Sequence, residues 1–249
     1  MSGHSKWSTI KRQKGANDAK RGQAFTKAGR LITIAAREGG GNPDGNFKLR
    51  LAMEAARAIN MPKENIERAI ARGAGGDGSK PLEEAVYEGY GPAGIALLIE
   101  VVTDNKMRSA GELRSILDRA GGSLAGQGAV AFLFNSKGVI EVDATLKDAD
   151  ELLLNAADAG ADDVEVEEGV ALVYTKPEVV DKVKGALEQA GYSVKNSEIS
   201  KEASTTVKIT DEGQAEKVLS LIEKLEDLDD VQKVYSNFDI DTEVMEKVA

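Results

Sequence analysis

Apolar residues recur at helical spacing in the first part of the chain. Within residues 17–38, Phe25, Ala28, Ile32 and Ala35 fall inside an arc of roughly 80° at 100° per residue, which predicts a helix with an apolar stripe facing a core. Four cations fall on a separate arc of roughly 100°. Its members are Lys20, Lys27, Arg30 and Arg37.

Two shorter helices are predicted behind this one. The glycine-rich segment 39–45 ends the first helix, and the Ala-rich segment 47–59 starts the second. Pro62 at a first-turn position, Glu64 behind it and Gly73 after the last periodic residue bracket a third helix. We therefore expect an all-α amino-terminal bundle.

Beyond residue 80, short apolar runs of strand type alternate with helical patterns. This mixture predicts an α+β unit. Its predicted elements are strands at 84–90, 94–103 and 129–134 and a helix at 107–120, followed near the end of the chain by a strand at 205–209, a helix at 211–225 and a strand at 231–240.

The segment between these two groups has the clearest pattern. A strand at 139–142 is followed by a helix whose apolar positions begin at Leu146, and two short strands then turn at Gly169. A second helix from Val180 and a closing strand at 192–199 complete the order βαββαβ in about sixty residues, which is the ferredoxin-like arrangement.

Charge is strongly segregated along the 249 residues. Nine of the first 37 residues are basic and one is acidic, whereas the formal charge of the whole chain is −10. Up to Arg72 there are 15 basic and 6 acidic residues; from Gly73 onward there are 17 basic and 36 acidic residues. The reversal coincides with segment 73–81, which has four glycines in nine residues and is the predicted linker. Such segregation indicates an end that faces nucleic acid or another anionic surface.

Composition excludes several kinds of chemistry. The chain has no cysteine and a single histidine, His4, which removes disulfides, thiolate catalysis and sites ligated by sulfur or several histidines. No run approaches the roughly twenty apolar residues of a membrane span, and no apolar segment follows the basic amino terminus as in a secretory signal. The terminus is Arg-rich like a mitochondrial transit peptide, but the folded pattern runs straight on from it. We expect a complete cytoplasmic chain.

Two other candidate sites are rejected on pattern. Segment 73–80 resembles a phosphate loop but ends Gly-Ser-Lys after a helix, where the motif requires Gly-Lys-Ser/Thr after a strand. Acidic residues at 162–168 and 226–230 could hold Mg²⁺. However, Glu165 and Glu167 alternate with valines, so they are expected to face solvent from a half-buried strand. No metal, cofactor or small-molecule substrate is predicted.

Several ordered motifs cover essentially the whole chain. They are Gly3-His-Ser-Lys-Trp7, Asp18-Ala-Lys-Arg-Gly22, Ala36-Arg-Glu-Gly-Gly-Gly41, Met61-Pro-Lys-Glu-Asn-Ile-Glu-Arg-Ala-Ile70, Tyr87-Glu-Gly-Tyr-Gly-Pro92, Thr103-Asp-Asn105 and Gly121-Gly122. Together these motifs resemble the YebC family. Residues 106–108 read Lys-Met-Arg where the family has a polar pair such as Asn-Arg, and Gly128-Ala stands where Gly-Ser is common; neither change removes a cation.

The resemblance implies an α+β multidomain protein with three domains. These are a basic helical domain at 1–79, a discontinuous α+β domain at 80–135 and 203–249, and a ferredoxin-like domain inserted at 136–202. Family members are described as probable DNA-binding transcriptional regulators of the cytoplasm. A mitochondrial branch is a translational activator, and bacterial members are linked to stalled ribosomes. The resemblance therefore leaves DNA and ribosomal RNA open as the target.

The basic end supplies the predicted nucleic-acid site. Its cations would neutralise phosphates. Trp7 would either stack on an unpaired base or anchor the amino-terminal arm, from Met1 to about Gly15, to the bundle. The competing interpretations are a solvated helix face and docking on the protein's own acidic body. The predicted residues are Lys6, Trp7, Lys11, Arg12, Lys14, Lys20, Arg21, Lys27, Arg30 and Arg37.

Three functions are compatible with this pattern to different degrees. A non-enzymatic regulator that binds DNA, or ribosomal RNA on the ribosome, fits the charge distribution best; no helix-turn-helix is recognisable, which favours backbone or structured-RNA contact. An enzyme would need a nucleophile with its base, or a carboxylate site in a cleft, and the residue types argue against it. A protein adaptor using the ferredoxin-like domain is the third. The oligomeric state stays open.

Overall fold

The structure is a computed structural model that describes residues 18–75, 80–145, 149–167 and 169–248. The chain divides into two compact units. One comprises Leu133–Thr205, and the other comprises the described residues up to Phe132 together with those from Thr206 onward. The architecture is mixed α+β, as the sequence predicts.

Three helices begin the described chain, and their core is the predicted one. Ile32 and Ala35 of the first helix are buried, and Phe25 and Ala28 pack partly buried against the same cluster. Asn46 ties two helices together, because its side chain accepts the Leu49 N–H (3.1 Å) and donates to the Ala35 carbonyl (2.7 Å). The helices are α1 (Asp18–Gly39), α2 (Phe47–Ala58) and α3 (Lys63–Gly73).

An antiparallel sheet follows these helices in the same unit. The chain continues through β1 (Glu83–Tyr90), β2 (Ala96–Thr103), α4 (Lys106–Arg119) and β3 (Ser123–Ala125). Of these, β3 is too short to have been predicted from the sequence pattern.

The unit Leu133–Thr205 has the ferredoxin-like order. The hairpin turns at Gly169, whose φ of 82° is readily adopted by glycine. Its antiparallel sheet has the strand order β5-β6-β4-β7, with the apolar sides of both helices in its core. The elements are β4 (Phe134–Asp143), α5 (Ala149–Ala159), β5 (Asp163–Glu167), β6 (Val170–Thr175), α6 (Val180–Gln189) and β7 (Ser193–Ala203).

The last segment returns to the first sheet and completes it. The sheet order is β3-β1-β2-β9, while β8 and β10 form a parallel pair beside it. Leu97, Leu113 and Ile222 are among the buried residues of a core shared by β2, α4 and the long helix of this segment. The elements are β8 (Val207–Ile209), α7 (Glu212–Glu226), β9 (Val231–Ser236), β10 (Phe238–Ile240) and α8 (Thr242–Val248).

One strand prediction is wrong and another is divided in two, and each difference has a specific cause. No strand forms at 129–133, because the N–H groups of Val130 and Ala131 donate to the buried Glu88 carboxylate and the chain makes a short helical turn before β4 begins. The predicted strand at 231–240 breaks at Asn237, whose side-chain oxygen accepts the Ala96 N–H (2.7 Å) and whose carbonyl accepts the Val207 N–H (2.8 Å). Asn237 thus passes the chain from one sheet to the other.

Strand β2 is buried on both of its faces, and this links the helices to the sheet. Leu97, Ile99 and Val101 face the core of the α+β part. On the opposite face, Val102 packs with Ile34 of α1 and Leu82, which precedes β1. Period-2 alternation is absent from β2 for this reason.

Candidate nucleic-acid interface

The predicted site residues divide into two groups. Lys6, Trp7, Lys11, Arg12 and Lys14 lie outside the described residues. Lys20, Arg21, Lys27, Arg30 and Arg37 all lie on α1.

Arg21 and Arg37 are exposed and lie at opposite ends of α1. The Arg21 guanidinium lies over the Phe25 ring, 5.7 Å from its centroid, which is cation–π geometry. Arg37 lies in the last turn of the helix, where a cation is favoured by the helix dipole. Both guanidinium groups are therefore presented at the surface of the helical part.

Lys27 and Arg30 instead contact the acidic segment 226–230 at the end of α7. The Lys27 ammonium donates to the Glu226 carbonyl, and Gln23 donates to the Asp227 carbonyl. The Arg30 guanidinium donates to the Val102 carbonyl (2.7 Å) and to the Asp230 carboxylate. This is the docking on the protein's own acidic body that the sequence left as an alternative.

Asp230 is the centre of this contact. It is 5 % exposed. Its Oδ2 accepts hydrogen bonds from Ser109 Oγ (2.6 Å), Arg108 Nη2 (2.8 Å) and Thr103 Oγ1 (2.9 Å), and its Oδ1 accepts from Arg30. Burial alone would raise the pKa of the Asp230 carboxyl, but the four hydrogen bonds outweigh burial and hold it well below its usual range.

The Thr103-Asp-Asn105 motif has a structural role around this carboxylate. Thr103 donates to Asp230, Asp104 accepts from Arg108 (2.9 Å), and the Asn105 side chain caps α4 by accepting the Arg108 N–H (3.2 Å). Arg108 lies where the sequence departs from the family pattern, and it supplies one of the two arginines on Asp230. Sequence reasoning missed Asp230, because its acidic neighbours suggested a solvated run.

The Tyr87–Pro92 motif is likewise explained by packing. Glu88 is 4 % exposed, and its carboxylate accepts the N–H groups of Gly128 (2.6 Å), Val130 (2.7 Å) and Ala131 (2.8 Å). Burial raises the pKa of the Glu88 carboxyl, but the backbone hydrogen bonds lower it by more, so the net shift is downward.

A cavity of about 390 Å³ opens where α1, α3 and the chain entering β1 meet. Arg37, Arg72 and Lys80 line it, and Arg72 and Lys80 are absent from the sequence-predicted site. Gly73 lets α3 approach α1 closely, because a Cβ at this position would stand 2.3 Å from the Thr33 carbonyl oxygen. The sequence signal for these two cations was their position, since Arg72 directly precedes the glycine-rich segment 73–81 and Lys80 lies near its end.

The described residues contain neither a metal-binding cluster nor a membrane-spanning helix. Within the described ranges, no group of three or more His, Asp or Glu side chains is placed to hold a metal ion. Of the acidic residues considered for Mg²⁺, Glu165 accepts a hydrogen bond from the Tyr174 hydroxyl (2.9 Å). None of the helices in the described part is both long enough and apolar enough to span a bilayer.

Comparison with known proteins gives matches along the whole chain. The family model described as TACO1/YebC protein N-terminal domain matches residues 5–76, and the model described as TACO1/YebC second and third domain matches residues 82–238. A protein of Syntrophus aciditrophicus is 52 % identical over all of both chains, and one of Chloroflexus aggregans is 53 % identical over 99 % of each. Both are called probable transcriptional regulatory proteins.

A solved structure agrees with these sequence matches. The crystal structure of a conserved hypothetical protein from Aquifex aeolicus superposes with a TM-score of 0.83 at 45 % identity, covering 90 % of this chain and 92 % of that one. Matches of this extent in sequence and structure leave one assignment: the chain belongs to the TACO1/YebC family.

Proposed function

We propose that this protein is a non-enzymatic, cytoplasmic regulator of gene expression that binds nucleic acid through its amino-terminal helical domain. The observation that carries the proposal is the charge reversal: 15 basic against 6 acidic residues up to Arg72, on a chain of net charge −10. A regulatory role is supported by the relatives, which are called probable transcriptional regulatory proteins.

The surface contacts would be made mainly with phosphates. On α1, Gln23 and Arg30 are the types of side chain that read base edges, yet both hydrogen-bond to the acidic body together with Lys27. A helix whose candidate reading groups are occupied in this way favours backbone contact, which carries little sequence information. The arm and the exposed Arg21 and Arg37 remain as the proposed phosphate ligands.

Lys27 and Arg30 enter the proposal in a different way from the other predicted residues. Their side chains already donate to the Glu226 carbonyl and to the Asp230 carboxylate, so a phosphate would compete with these acceptors. We therefore propose the arm, Lys20, Arg21 and Arg37 as the primary contacts.

The first experiment tests binding with the full chain. The triple variant Lys11→Glu, Arg12→Glu, Lys14→Glu is compared with wild type for binding of a labelled DNA duplex and of a ribosomal RNA fragment across a salt series. The slope of log K against log salt is negative, and each lost phosphate contact should reduce its magnitude by about 0.7 to 0.9. We expect the magnitude of the slope to decrease by about two and the affinity to decrease more than tenfold.

A matched control separates a site from a general charge effect. Lys176→Glu, Lys182→Glu, Lys217→Glu makes the same change in net charge at exposed lysines outside the helical domain. It should leave the slope at the wild-type value. Equal losses in both triple variants would contradict a binding site in the arm and favour non-specific attraction.

The second experiment separates the two targets. Crosslinking in cells, followed by sequencing of the bound DNA and RNA, should enrich promoter fragments if the protein acts as a DNA-binding transcriptional regulator. Enrichment of one ribosomal RNA region would instead assign it to the ribosome as a translation factor, the alternative that the backbone-contact argument favours. An adaptor role predicts that the arm variant keeps its protein partners.

A further inference from the structure

We propose that the cavity lined by Arg37, Arg72 and Lys80 binds one backbone phosphate of the nucleic acid. The inference rests on the proposed function and adds two residues, Arg72 and Lys80, to the contact surface. It places a phosphate site at the junction of the helices with the sheet.

The convergence of three cations on one concave surface carries the proposal. Arg37 comes from the last turn of α1, Arg72 from the last turn of α3 and Lys80 from the chain that enters β1. The helix dipole explains a cation in either last turn. It does not explain why both arginines line the cavity that Lys80 also lines.

The walls of the cavity hold this arrangement in place. Ile34 and Leu82 line it and are 2 % and 5 % exposed, in a small core with Val102. Gly73 sets the distance between the two helices, since any side chain there would meet the Thr33 backbone. The arginines therefore project from fixed backbone positions, which suits the planar, forked guanidinium donors to a tetrahedral phosphate.

Size and lining favour a phosphate within a strand over a free nucleotide. The volume of about 390 Å³ lies at the lower end of the range of about 300 to 1,000 Å³ for small-molecule pockets. No aromatic side chain is among the described residues that line the cavity, so a free base would lack a stacking surface there. A backbone phosphate of a nucleic-acid strand needs no stacking surface.

Among the described residues, a carboxylate near Arg37 reduces the positive charge of this surface. Glu83 lies near Arg37, and the pKa of its carboxyl is lowered chiefly by the hydrogen bond from Lys106 and to a smaller extent by Arg37. Because Lys106 forms an ion pair with Glu83, that carboxylate does not depend on Arg37 alone for its neutralisation. The charge of Arg37 stays available to a phosphate.

The test uses the full chain and a labelled single-stranded oligonucleotide. Arg37→Gln, Arg72→Gln and Lys80→Gln are measured singly across a salt series, with Arg57→Gln as the matched control, because Arg57 is an exposed last-turn arginine of α2 that does not line the cavity. Each cavity variant should lower affinity about three- to tenfold at low salt. It should also reduce the magnitude of the slope of log K against log salt by up to about 0.7, with the control unchanged. Thermal melting verifies that every variant is folded.

The outcomes separate this inference from the proposed function. A wild-type protein that binds no nucleic acid refutes both. Wild-type binding with slopes unaltered in all three cavity variants refutes the cavity alone. A further measurement uses adenosine monophosphate as the ligand. If it binds wild type and loses affinity in the cavity variants while oligonucleotide binding is unaltered, the site belongs to a free nucleotide. The assignment to a backbone phosphate of nucleic acid is then overturned.

Discussion

Replacing Asp230 by Asn tests whether this carboxylate holds the helices to the sheet. The substitution keeps the shape and removes the charge that faces Arg30 and Arg108. It also turns an acceptor of four hydrogen bonds into a group with one oxygen and an NH₂ that cannot accept. The variant therefore removes the anion that faces Arg30, whereas Arg108 keeps its ion pair with Asp104.

The expected loss follows from how far each partner is buried. Breaking a buried ion pair by removing one partner costs about 3 to 5 kcal/mol. The side chain of Arg30 is 19 % exposed, but that of Arg108 is 42 % exposed and is compensated by water. We therefore expect a decrease of about 2 to 3 kcal/mol in the free energy of unfolding. For a unit of this size, that lowers Tm by about 4 to 12 °C.

The assay is urea and thermal unfolding at pH 7, with Asp229→Asn as the control. Asp229 is the exposed neighbour of Asp230, so its replacement makes the same chemical change outside the contact and should alter stability by less than about 0.5 kcal/mol. If the two variants unfold together, the Asp230 contacts do not contribute to stability as argued.

The contribution of Asp230 to stability depends on pH with a definite sign. The pKa of Asp230 is lowered in the folded protein, so its contribution is fully present above the unfolded value of about 3.9 and is lost as the pH falls below it. The stability difference between wild type and Asp230→Asn should be constant from about pH 6 to 8 and narrow below about pH 4. A difference that widens in acid would contradict the assigned shift.

Two further predictions concern packing and the buried Glu88. Glu88→Gln should lower the free energy of unfolding by about 1 to 3 kcal/mol, because the amide group cannot accept all three N–H bonds, whereas the exposed Glu84→Gln should have little effect; chemical unfolding at pH 7 compares them. Gly73→Ala should destabilise the helical part by about 2 kcal/mol or more, since its Cβ would meet a backbone carbonyl, while Gly111→Ala, with no atom within 4 Å, should stabilise by up to about 1 kcal/mol; thermal melting and hydrogen exchange measure both. Equal effects of the two glycine variants would contradict the close approach at Gly73.

Local sequence determined most of the elements but not all of their ends. The stripe Phe25, Ala28, Ile32 and Ala35 predicted α1 and its buried face, because helical spacing alone decides which side chains share a face. The turn at Gly169 and the βαββαβ order followed from strand alternation and glycine in the same way. The predicted arrangement in three domains came from the family resemblance and stays a prediction.

Tertiary structure decided what the charges and the break points do. The predicted strand at 129–134 does not form before β4, because Glu88 accepts the Val130 N–H. The predicted strand at 231–240 is interrupted at Asn237, which accepts the Ala96 N–H. Both partners lie far away in the sequence. A sequence shows that Arg30 and Asp230 are charged, but they are 200 residues apart and only folding makes them partners. The sequence by itself determined that the amino-terminal end is basic and helical, because composition and period are local properties. Which of its cations face solvent, a cavity or the protein's own acidic segment depends on contacts between distant residues.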